Sequence, residues 1–496
     1  MASNSETTEV ATYLGQKGYS IYKEYMSIQE QNSLRQDLIV RPYIPKSPVQ
    51  PEGFPIYRES ASKIYIPRFF GIEVFGEPDE VRIPQGDTIN LSFNGALRDY
   101  QINIVEIYKK ALGVNGGGGL LEIPCGRGKT VIALNIISQL KVKTLVIVHK
   151  GFLLNQWVER IEQFLPGARV GKIQGQVIDI EDKDIVVGML QSLSMKEYPS
   201  DMFASFGLTI VDECHHISSE VFSRSLQRIV TRCMLGLSAT MQRKDGLTRV
   251  FKMFLGEIIY KEKREADDAV LVKSIKYVTA DDEFNETILD YRGNPAYSTM
   301  ISKLCDYNRR SEFILKVLIK EMNEMPNQQV MILAQNKSLL VYLHKAIEHR
   351  NIATVGFYVG GMKEADLKAS ETKQVIIATY AMAAEALDIK TLTTLFLVTP
   401  RTDVTQAVGR ILRVKHERPL VVDIVDSHDV FQRQWLKRKK FYIQNKYKIL
   451  QTDSDDYLSE SWHVEYDPEN PPNRKCKSET SSNTSLFPKG KCLISL

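Results

Sequence analysis

The clearest pattern along the chain is a series of short, mostly apolar runs separated by longer mixed stretches. The first series consists of LLEI (120–123), TLVIV (144–148), DIVVGML (184–190), LTIVD (208–212) and MLGLSAT (234–240). Continuous runs of Leu, Ile and Val of this length are typical of strands that are covered on both faces. The stretches between the runs are long enough for crossover helices. The pattern therefore predicts an α/β domain with a parallel sheet over residues 91–260.

A second series of the same kind follows. It consists of QVMILA (329–334), ATVGFY (353–358), VIIAT (375–379), TLFLVT (394–399) and LVVDIVD (420–426). No sequence identity links the two series, so we predict two domains of similar architecture, the second over residues 261–450. Between the two series, residues 261–327 are rich in charge, and we predict that they are irregular.

The two ends of the chain depart from this pattern. Eight of the 19 prolines lie between Pro42 and Pro84. Proline at that density breaks helices and favours short strands and turns. We therefore predict a small N-terminal accessory domain over residues 1–90, with one helix around residues 22–38. Residues 451–496 are polar and contain few large apolar side chains, which predicts a flexible, disordered tail.

Composition narrows the class of protein further. Of the 496 residues, 43% are hydrophobic and 25% are charged, which is the balance of a soluble globular protein of several domains. No apolar run could span a bilayer, and the first ten residues lack the features of a signal peptide, so we expect an intracellular protein. None of the six cysteines forms a CxxC pair, which gives no indication of a zinc site. The net charge of +4 is too small to indicate nucleic acid by itself.

One glycine-rich sequence is placed where it could hold a phosphate. IPCGRGKT begins at Ile123, follows a predicted strand and precedes the helical run VIALNIISQL. Gly126 and Gly128 would let the backbone N–H groups face a phosphate, and the following helix adds its positive N-terminus. Lys129 would reach the β- and γ-phosphates of a nucleotide, and the Thr130 hydroxyl would hold Mg²⁺. Ile123 replaces the first glycine of the full GxxxxGK[ST] motif, so an ordinary strand-to-helix turn is the alternative.

Two further sequences carry charges that a nucleotide could use. DECH begins with Asp212 at the end of the predicted strand LTIVD, the edge where open α/β sheets bind ligands. Asp212 could hold Mg²⁺ there, and Glu213 could orient and deprotonate a water molecule. In QAVGRILR (406–413), Arg410 and Arg413 would share a helix face, and an arginine that reaches a γ-phosphate stabilises transition-state charge. Taken singly, an acidic helix cap and a basic exposed helix are the alternatives.

Residues 431–450 contain seven basic and five aromatic residues and no acidic residue. Basic residues interleaved with aromatics suit the binding of single-stranded nucleic acid through charge and stacking. The alternative, which we favour, is an amphipathic helix that packs its aromatics, including Trp435 and Tyr442, onto the second domain.

In combination and order, these motifs resemble those of the superfamily 2 helicases. LRDYQ (97–101) resembles the adenine-reading segment, IPCGRGKT motif I, LQSL (190–193) motif Ic, DECH motif II and SAT (238–240) motif III. In the second domain, ILAQN (332–336), ATYAMAAEALD (378–388) and QAVGRILR resemble motifs IV, V and VI. The resemblance covers residues 91–427. It implies two tandem RecA-like parallel-sheet domains, preceded by the small N-terminal domain and followed by the tail.

A closer resemblance is to the XPB-type branch of DNA helicases, which includes phage UvsW-like enzymes and helicases of large cytoplasmic DNA viruses. It depends on PCGRGKT and on SAT followed by the sequence RKDG (243–246). In that branch an Arg-acid-Asp sequence follows motif III, and here Lys244 replaces its acidic residue. Motif V of the family reads EGxD, and here Ala386 replaces the glycine, so that a methyl group stands where the backbone is otherwise bare.

The resemblance implies roles for individual residues. ATP would be bound by Gln101, which would contact the base, and by Cys125, Gly126, Arg127, Gly128, Lys129 and Thr130. Thr130 and Asp212 would hold Mg²⁺, and Glu213, Gln406, Arg410 and Arg413 would be catalytic. Hydrolysis would be coupled to strand movement by His215, Ser238, Ala239, Thr240 and Asp388. Nucleic acid would be contacted, without sequence preference, by His149, Lys150, Gln191, Ser192, Asn336 and Thr379.

Together these expectations describe a motor that hydrolyses ATP between two domains and moves along a strand. Because the site is split, hydrolysis would depend on closure of the cleft, and this dependence can drive stepping. The XPB-type resemblance implies DNA as the track and transcription or repair machinery as partners. An RNA helicase or transcript-release factor is the nearest alternative, and an ATP-gated clamp without turnover is the non-enzymatic one. We expect no membrane partner, and a location in the nucleus, or in the cytoplasm or virion for a protein of a large DNA virus.

Overall fold

The computed structural model describes residues 10–43, 50–124, 126–199, 201–216, 219–241, 247–262, 270–385, 389–412 and 416–470. Over these ranges the chain forms a small N-terminal domain and two α/β domains, each built on its own sheet. Within them, none of the helices combines the length and the apolar character that a membrane crossing requires.

The N-terminal domain is a small antiparallel sheet with two helices. Its elements are β1 (Thr12–Gly15), β2 (Gly18–Tyr22), α1 (Ile28–Asp37), β3 (Ile39–Val40), β4 (Phe54–Pro55), β5 (Arg58–Glu59), β6 (Lys63–Ile66), α2 (Arg68–Phe75) and β7 (Glu80–Val81). In the described residues, five strands pair in the order β5-β6-β2-β1-β7, with β7 parallel to β1. The helix predicted around residues 22–38 is confirmed as α1, which Ser27 caps by accepting the backbone N–H of Glu30.

One face of this sheet joins the N-terminal domain to the next domain. Tyr19 and Ile64 belong to the same buried apolar cluster as Leu120 and Phe251, which lie in the first α/β domain. Gly71 of α2 lies so close to Tyr19 that an added Cβ would be 2.2 Å from its ring. The N-terminal sheet is therefore packed onto the first α/β domain by this face. The opposite face, which carries the half-buried Tyr13 and Tyr65, is called the outward face below.

The first α/β domain contains β8 (Gly117–Glu122), β9 (Thr144–Val148), β10 (Val170–Gln174), β11 (Val177–Ile178), β12 (Ile185–Met189), β13 (Leu208–Asp212), β14 (Cys233–Ser238) and β15 (Ile258–Lys261). Its helices are α3 (Asp99–Ala111), α4 (Lys129–Leu140), α5 (Gly151–Phe164), α6 (Leu190–Met195), α7 (Ser219–Leu226) and α8 (Thr248–Leu255). In the described residues the sheet order is β11-β10-β12-β9-β13-β14-β8-β15, and pairing is parallel apart from the β10–β11 hairpin. The five strands predicted from the apolar runs are confirmed.

The second α/β domain contains β16 (Leu271–Tyr277), β17 (Gln329–Ala334), β18 (Val355–Tyr358), β19 (Val375–Thr379), β20 (Leu392–Leu397), β21 (Leu420–Asp426), β22 (Lys448–Asp453) and β23 (His463–Tyr466). Its helices are α9 (Asp282–Asn285), α10 (Tyr297–Asp306), α11 (Asn308–Glu324), α12 (Lys337–His349), α13 (Glu364–Glu371), α14 (Tyr380–Glu385), α15 (Thr405–Val408) and α16 (Asp429–Gln444). The described strands have the order β18-β19-β17-β20-β21-β16-β22-β23. The two sheets confirm the predicted tandem arrangement.

Two predictions about this domain are wrong. Residues 261–327 are not irregular, because they include the interior strand β16 and the helices α10 and α11. The tail also begins later than residue 451, because β22 and β23 form the edge of the second sheet. Residues 471–496 lie outside the described part of the chain.

The basic and aromatic residues after position 430 form the amphipathic helix that we favoured. The rings of Phe431, Trp435 and Tyr442 on α16 are buried in the second domain. Arg433 and Lys437 lie on its exposed face. Because the aromatics belong to the core, they are not available to stack on nucleic-acid bases.

Candidate nucleotide site between the two RecA-like domains

The phosphate loop has the backbone that its glycines predict. Gly126 and Gly128 have φ angles of +82° and +80°, in the left-handed region that side chains disfavour. A Cβ on Gly128 would lie 2.5 Å from Nε2 of Gln101, so a side chain at this position would displace the Gln101 amide. The helix α4 begins at Lys129, directly after this turn, and directs its N-terminus towards the loop. Cys125 lies outside the described residues.

Gln101 is tied to the phosphate loop. Its Oε1 accepts the backbone N–H of Arg98 at 3.0 Å, and its Nε2 donates to the carbonyl of Arg127 at 3.1 Å. The Arg127 guanidinium lies 4.0 Å from the ring centroid of Tyr100, and its Nε is 2.7 Å from Oε1 of Glu262. Gln101, which is predicted to contact the base, therefore lies on α3 and is hydrogen-bonded to the loop that would hold the phosphates.

Asp212 is buried at the carboxyl end of β13 and is held by neutral donors. Its Oδ2 accepts the indole N–H of Trp157 at 2.8 Å, and its Oδ1 accepts the backbone N–H of Glu213 at 2.9 Å. Burial, and then the negative charge of Glu213, raise the pKa of Asp212 to about 6. A divalent cation beside this carboxylate would favour its ionised form, so the environment suits a metal ligand.

Glu213 and Lys129 form an ion pair across the site. Lys129 Nζ lies 2.6 Å from Oε1 of Glu213, and both side chains are largely buried. Glu213 has a φ of +47°, a left-handed conformation that is uncommon for a residue with a side chain. Backbone strain of this kind is concentrated at functional sites, where the surrounding structure maintains it. The pair shows that Lys129 reaches an anionic oxygen at the mouth of the phosphate loop.

His215 connects the two α/β domains. Its Nδ1 lies 2.6 Å from Oγ of Ser238, and its Nε2 lies 3.1 Å from Nε2 of Gln406 in the second domain. The amide nitrogen of Gln406 can only donate, so His215 accepts at Nε2 and donates from Nδ1 to Ser238. The Ser238 hydroxyl then donates to the carbonyl of Thr240 at 2.7 Å. One hydrogen-bonded chain therefore runs from the second domain through DECH to SAT.

The second domain also contributes Arg410 to this site. Arg410 is buried, its Nε donates to the carbonyl of Ala383 at 2.7 Å, and it lines a cleft of about 480 Å³ together with the phosphate loop, Asp212 and Glu213. The shared helix face expected for Arg410 and Arg413 is not found at Arg410, because α15 ends at Val408 and Arg410 follows in a turn. Arg413 and Asp388 lie outside the described residues.

The residues predicted to contact nucleic acid form one group in each domain. In the first domain, the carbonyl of His149 accepts Nε2 of Gln191 at 2.9 Å, and Oγ of Ser192 accepts the backbone N–H of Gly175 at 2.9 Å. These residues follow the neighbouring strands β9 and β12. The His149 side chain is buried, whereas Lys150 beside it is half-exposed, and burial lowers the pKa of Lys150.

In the second domain the corresponding residues end β17 and β19. Oδ1 of Asn336 caps α12 by accepting the backbone N–H and the hydroxyl of Ser338, at 2.7 and 2.6 Å. Oγ1 of Thr379 accepts the backbone N–H of Met382 at 3.4 Å. Both side chains lie at the carboxyl edge of their sheet, as the motifs predict.

Sequence reasoning missed several residues at the cleft. Arg98, Arg160 and Lys390 line it, and Trp157 fixes Asp212. Trp157 follows Leu153 by four residues and precedes Ile161 by four, a spacing that indicates only the buried face of a helix. Arg98 lies within LRDYQ, where only Gln101 was assigned a role, whereas Arg160 and Lys390 belong to no motif and are brought to the site by the fold.

Known proteins resemble this chain in sequence. Residues 94–243 match the family described as "Type III restriction enzyme, res subunit". The chain is 34% identical over 472 residues to "Putative ATP-dependent RNA helicase L396" of Acanthamoeba polyphaga mimivirus, covering 92% of this chain and 89% of that protein. It is 34% identical over 172 residues to "DNA 3'-5' translocase XPB2" of Sulfurisphaera tokodaii, covering 34% of this chain and 36% of that protein. Among solved structures, T4 UvsW matches 86% of this chain and 96% of its own, with 17% identity and a TM-score of 0.32.

The chain belongs to the superfamily 2 helicases. The resemblance predicted from the motifs, including the likeness to XPB and to helicases of large DNA viruses, is confirmed. Membership of this family implies ATP dependence and the hydrolysis of ATP.

Proposed function

We propose that this protein is a motor that couples ATP hydrolysis in the interdomain cleft to movement along DNA. The chain of hydrogen bonds from Gln406 through His215 to Ser238 carries the proposal. This chain links the second domain, which would move, with the ends of β13 and β14 in the first domain, beside the site that would hold ATP. A change in the distance between the domains would therefore change the catalytic site, as a motor requires.

The residues at the cleft fit Mg²⁺ and ATP. The left-handed glycines and the start of α4 would direct backbone N–H groups towards phosphates. Lys129, which would contact those phosphates, forms an ion pair with the carboxylate of Glu213 in this structure. Thr130 and Asp212 would hold Mg²⁺, which when bound neutralises charge on the phosphates. We assign Glu213 to the orientation and deprotonation of water, and Gln101 to the base.

The second domain would complete the site on closure. Arg410 lines the cleft opposite the phosphate loop, where its guanidinium can stabilise charge that develops on the γ-phosphate. The hydrogen bond between Gln406 and His215 would form or break as the second domain moves. Affinity for ATP would then differ between the open and closed states, and this difference can drive stepping.

DNA as the track is supported by the likeness to the archaeal DNA translocase, which covers 34% of this chain. RNA is the second candidate, because the mimivirus relative, which aligns with 92% of this chain, is named as an RNA helicase. A role in transcription or repair, and a location in the cytoplasm or virion of a large DNA virus, are part of the same proposal. So is a division into an accessory domain (1–90), an ATP-binding domain (91–260) and a C-terminal domain from residue 261.

The test is phosphate release measured in parallel with single-stranded DNA, duplex DNA, branched DNA and RNA, with Lys129→Ala as the inactive control. We expect DNA to stimulate hydrolysis more than RNA does. Stimulation by RNA alone would reverse the choice of track. Equal and negligible rates under all conditions would leave the ATP-gated clamp instead of the motor.

A further inference from the structure

A second cavity lies between the outward face of the N-terminal sheet and the loop that follows α6. Its volume is about 330 Å³, and it shares no lining residue with the nucleotide cleft. A volume of this size is at the lower end of the range for small-molecule sites. The cavity is therefore large enough to hold one compact polar group with a ring.

Aromatic rings form two of its walls. In the sheet, Tyr13 pairs with Ser20, and Ser20 pairs with Tyr65, so the three side chains form one row on the outward face. The small side chain of Ser20 lies between the two tyrosines and lines the cavity. On the opposite wall, Tyr198 and Phe203 have ring centroids 5.5 Å apart in an edge-to-face arrangement. Flat apolar surfaces of this kind suit the face of a nucleobase.

Hydrogen-bond donors outnumber acceptors at the other end of the cavity. Nε of Arg58 donates to Oε1 of Gln227 at 3.2 Å, while the two terminal nitrogens of Arg58 have no acceptor among the described residues. Nε2 of Gln227 is buried and also has no acceptor in the described part of the chain. A buried donor without a partner is costly, so Nε2 of Gln227 indicates a missing acceptor at this end of the cavity.

Like charges meet at the same place. Arg228 bonds to the carbonyl of Lys196 and to the carboxylate of Glu197, which is exposed to solvent. Burial, and then the charge of Arg228, lower the pKa of Arg58. A further cation, Lys17, lines the cavity and lies 5.1 Å from the ring centroid of Tyr65. An anion placed between Arg58 and Arg228 would relieve their repulsion and accept hydrogen bonds from both guanidinium groups.

The cavity lies beside Ser192, one of the residues predicted to contact a nucleic-acid strand. The hydroxyl of Tyr198 donates to the carbonyl of Ser192 at 2.9 Å, so one wall of the cavity is anchored to that segment. Two further cations of the N-terminal domain lie close to Tyr13, which lines the cavity. Lys63 lies 4.9 Å and Arg82 4.2 Å from its ring centroid. Cations on both sides of the cavity suit the successive phosphates of a strand.

We propose that this cavity binds a nucleoside monophosphate unit, with its base against Tyr13 and Tyr65 and its phosphate between Arg58 and Arg228. The unit belongs to the strand that the motor moves along or comes from a free nucleotide, and the two sources share the same chemistry. This inference rests on the proposed function, because it extends the contact surface for nucleic acid from the first RecA-like domain to the N-terminal domain.

The test uses the full chain and two variants of the cavity, Tyr65→Ser and Arg58→Gln. Tyr65→Phe and Arg58→Lys are the conservative partners, and Arg35→Gln is the matched control, because Arg35 lies in the same domain and pairs with Glu59 instead. Binding of fluorescent dT12 and U12 is measured by anisotropy over a salt series. ADP is present throughout, so that the nucleotide cleft is filled.

We expect Tyr65→Ser to weaken strand binding at least about fivefold and Tyr65→Phe to restore it, since stacking needs the ring alone. Arg58→Gln should weaken binding and reduce the magnitude of the salt slope by about 0.7–0.9, the value for one phosphate, while Arg58→Lys keeps the slope. Arg35→Gln should bind like the wild type. The free-nucleotide arm measures thymidine 5'-monophosphate and uridine 5'-monophosphate in the same proteins. Binding that Arg58→Gln abolishes there would assign the cavity to free nucleotides.

Unchanged affinity of both variants in both arms would overturn the proposal, as would an equal loss in Arg35→Gln. Thermal unfolding of each variant separates loss of binding from loss of fold, and the conservative partners remain informative if a cavity variant is unstable. Failure of the motor proposal looks different, because the wild type itself would then show no hydrolysis stimulated by a strand.

Discussion

The two RecA-like domains have closely corresponding sheets but carry different chemistry. When β8 is aligned with β16, the strand order β12-β9-β13-β14-β8-β15 corresponds to β19-β17-β20-β21-β16-β22. In the first domain β8 leads into the phosphate loop. In the second, β16 leads to Val278, whose backbone N–H donates to Oγ of Ser454 at 3.0 Å. The scaffold is thus shared, and the segments that follow its strands determine what each domain does.

The carboxylates of the two domains show the same contrast. In the second domain, Asp426 accepts Nε of Arg310 at 2.6 Å and Asp423 accepts Nε of Arg438 at 2.8 Å, with all four side chains buried. In the first domain, the described residues that donate hydrogen bonds to Asp212 do so from neutral groups, the indole N–H of Trp157 and the backbone N–H of Glu213. Charge on β21 is therefore neutralised inside the protein, whereas charge at the end of β13 remains available for a metal ion.

The largest expected effect tests what the second domain adds to the site. Arg410→Ala should lower turnover by about 10³–10⁵-fold with little change in ATP affinity, because its guanidinium would act on charge that develops in the transition state. Arg410→Lys should restore only part of the rate, since an ammonium lacks the planar fork. Steady-state hydrolysis and nucleotide titration measure the two quantities, with the exposed Arg433→Ala on α16 as the control. Unchanged turnover would remove Arg410 from the catalytic site.

The next effect tests the carboxylate beside Asp212. Glu213→Gln should lower turnover by about 10²–10⁴-fold while ATP still binds, because glutamine keeps the size of the side chain but cannot accept the proton. Lys129→Ala should weaken the binding of ATP itself, since it removes the positive charge that would contact the phosphates in the ground state. Single-turnover hydrolysis and ATP titration compare the two variants. Hydrolysis by Glu213→Gln at the wild-type rate would exclude Glu213 as the base.

A third prediction contrasts carboxylates of the two domains by stability. Asp426→Asn should lower the free energy of unfolding by about 3–5 kcal/mol, because it leaves Arg310 buried without its partner. Asp212→Asn removes a buried charge that forms no ion pair with the described residues, and it should leave stability equal or higher. Urea unfolding of both variants gives the comparison. A larger loss for Asp212→Asn than for Asp426→Asn would contradict the distinction drawn between the two domains.

Continuous apolar runs predicted the strands that are buried on both faces, because apolar side chains predominate in such strands. It missed β16, whose sequence LVKSIKY includes two lysines. Lys273 is nevertheless buried there, because its Nζ lies 2.7 Å from Oε2 of Glu321 on α11. A strand whose charge is neutralised by a partner 48 residues away has no local signal of burial.

The candidate site divides in the same way. Glycine, lysine and carboxylate positions in IPCGRGKT and DECH follow from local rules for phosphate and metal binding, so the sequence was sufficient for them. The bond from His215 to Gln406 spans 191 positions of the chain, and the cavity beside Tyr65 needs the N-terminal sheet to be docked on the first RecA-like domain. Contacts of that range depend on tertiary packing, which no local pattern encodes.

The smallest expected effect concerns an ion pair of the second domain that is exposed, unlike the buried pairs of β21. Hydrogen bonds from Arg350, and then from Tyr342, lower the pKa of Glu312 from 4.5 to about 2. A carboxyl group whose pKa is lowered by folding stabilises the folded state above pH 4.5, and this contribution is lost as the pH falls towards 2. Glu312 and Arg350 are 37% and 44% exposed, so solvent limits the contribution to below about 1 kcal/mol.

Glu312→Gln should therefore cost less than about 1 kcal/mol at pH 7, and the difference from the wild type should shrink between pH 4.5 and pH 2. It should also shrink in 1 M salt, because screening weakens exposed pairs. Urea unfolding of both proteins at pH 7, 4.5 and 3.5, with and without salt, measures these changes. Asp426→Asn should keep its larger cost in salt, because its pair is buried. An effect of Glu312→Gln that equals that of Asp426→Asn and resists salt would show that exposure does not separate the two kinds of pair.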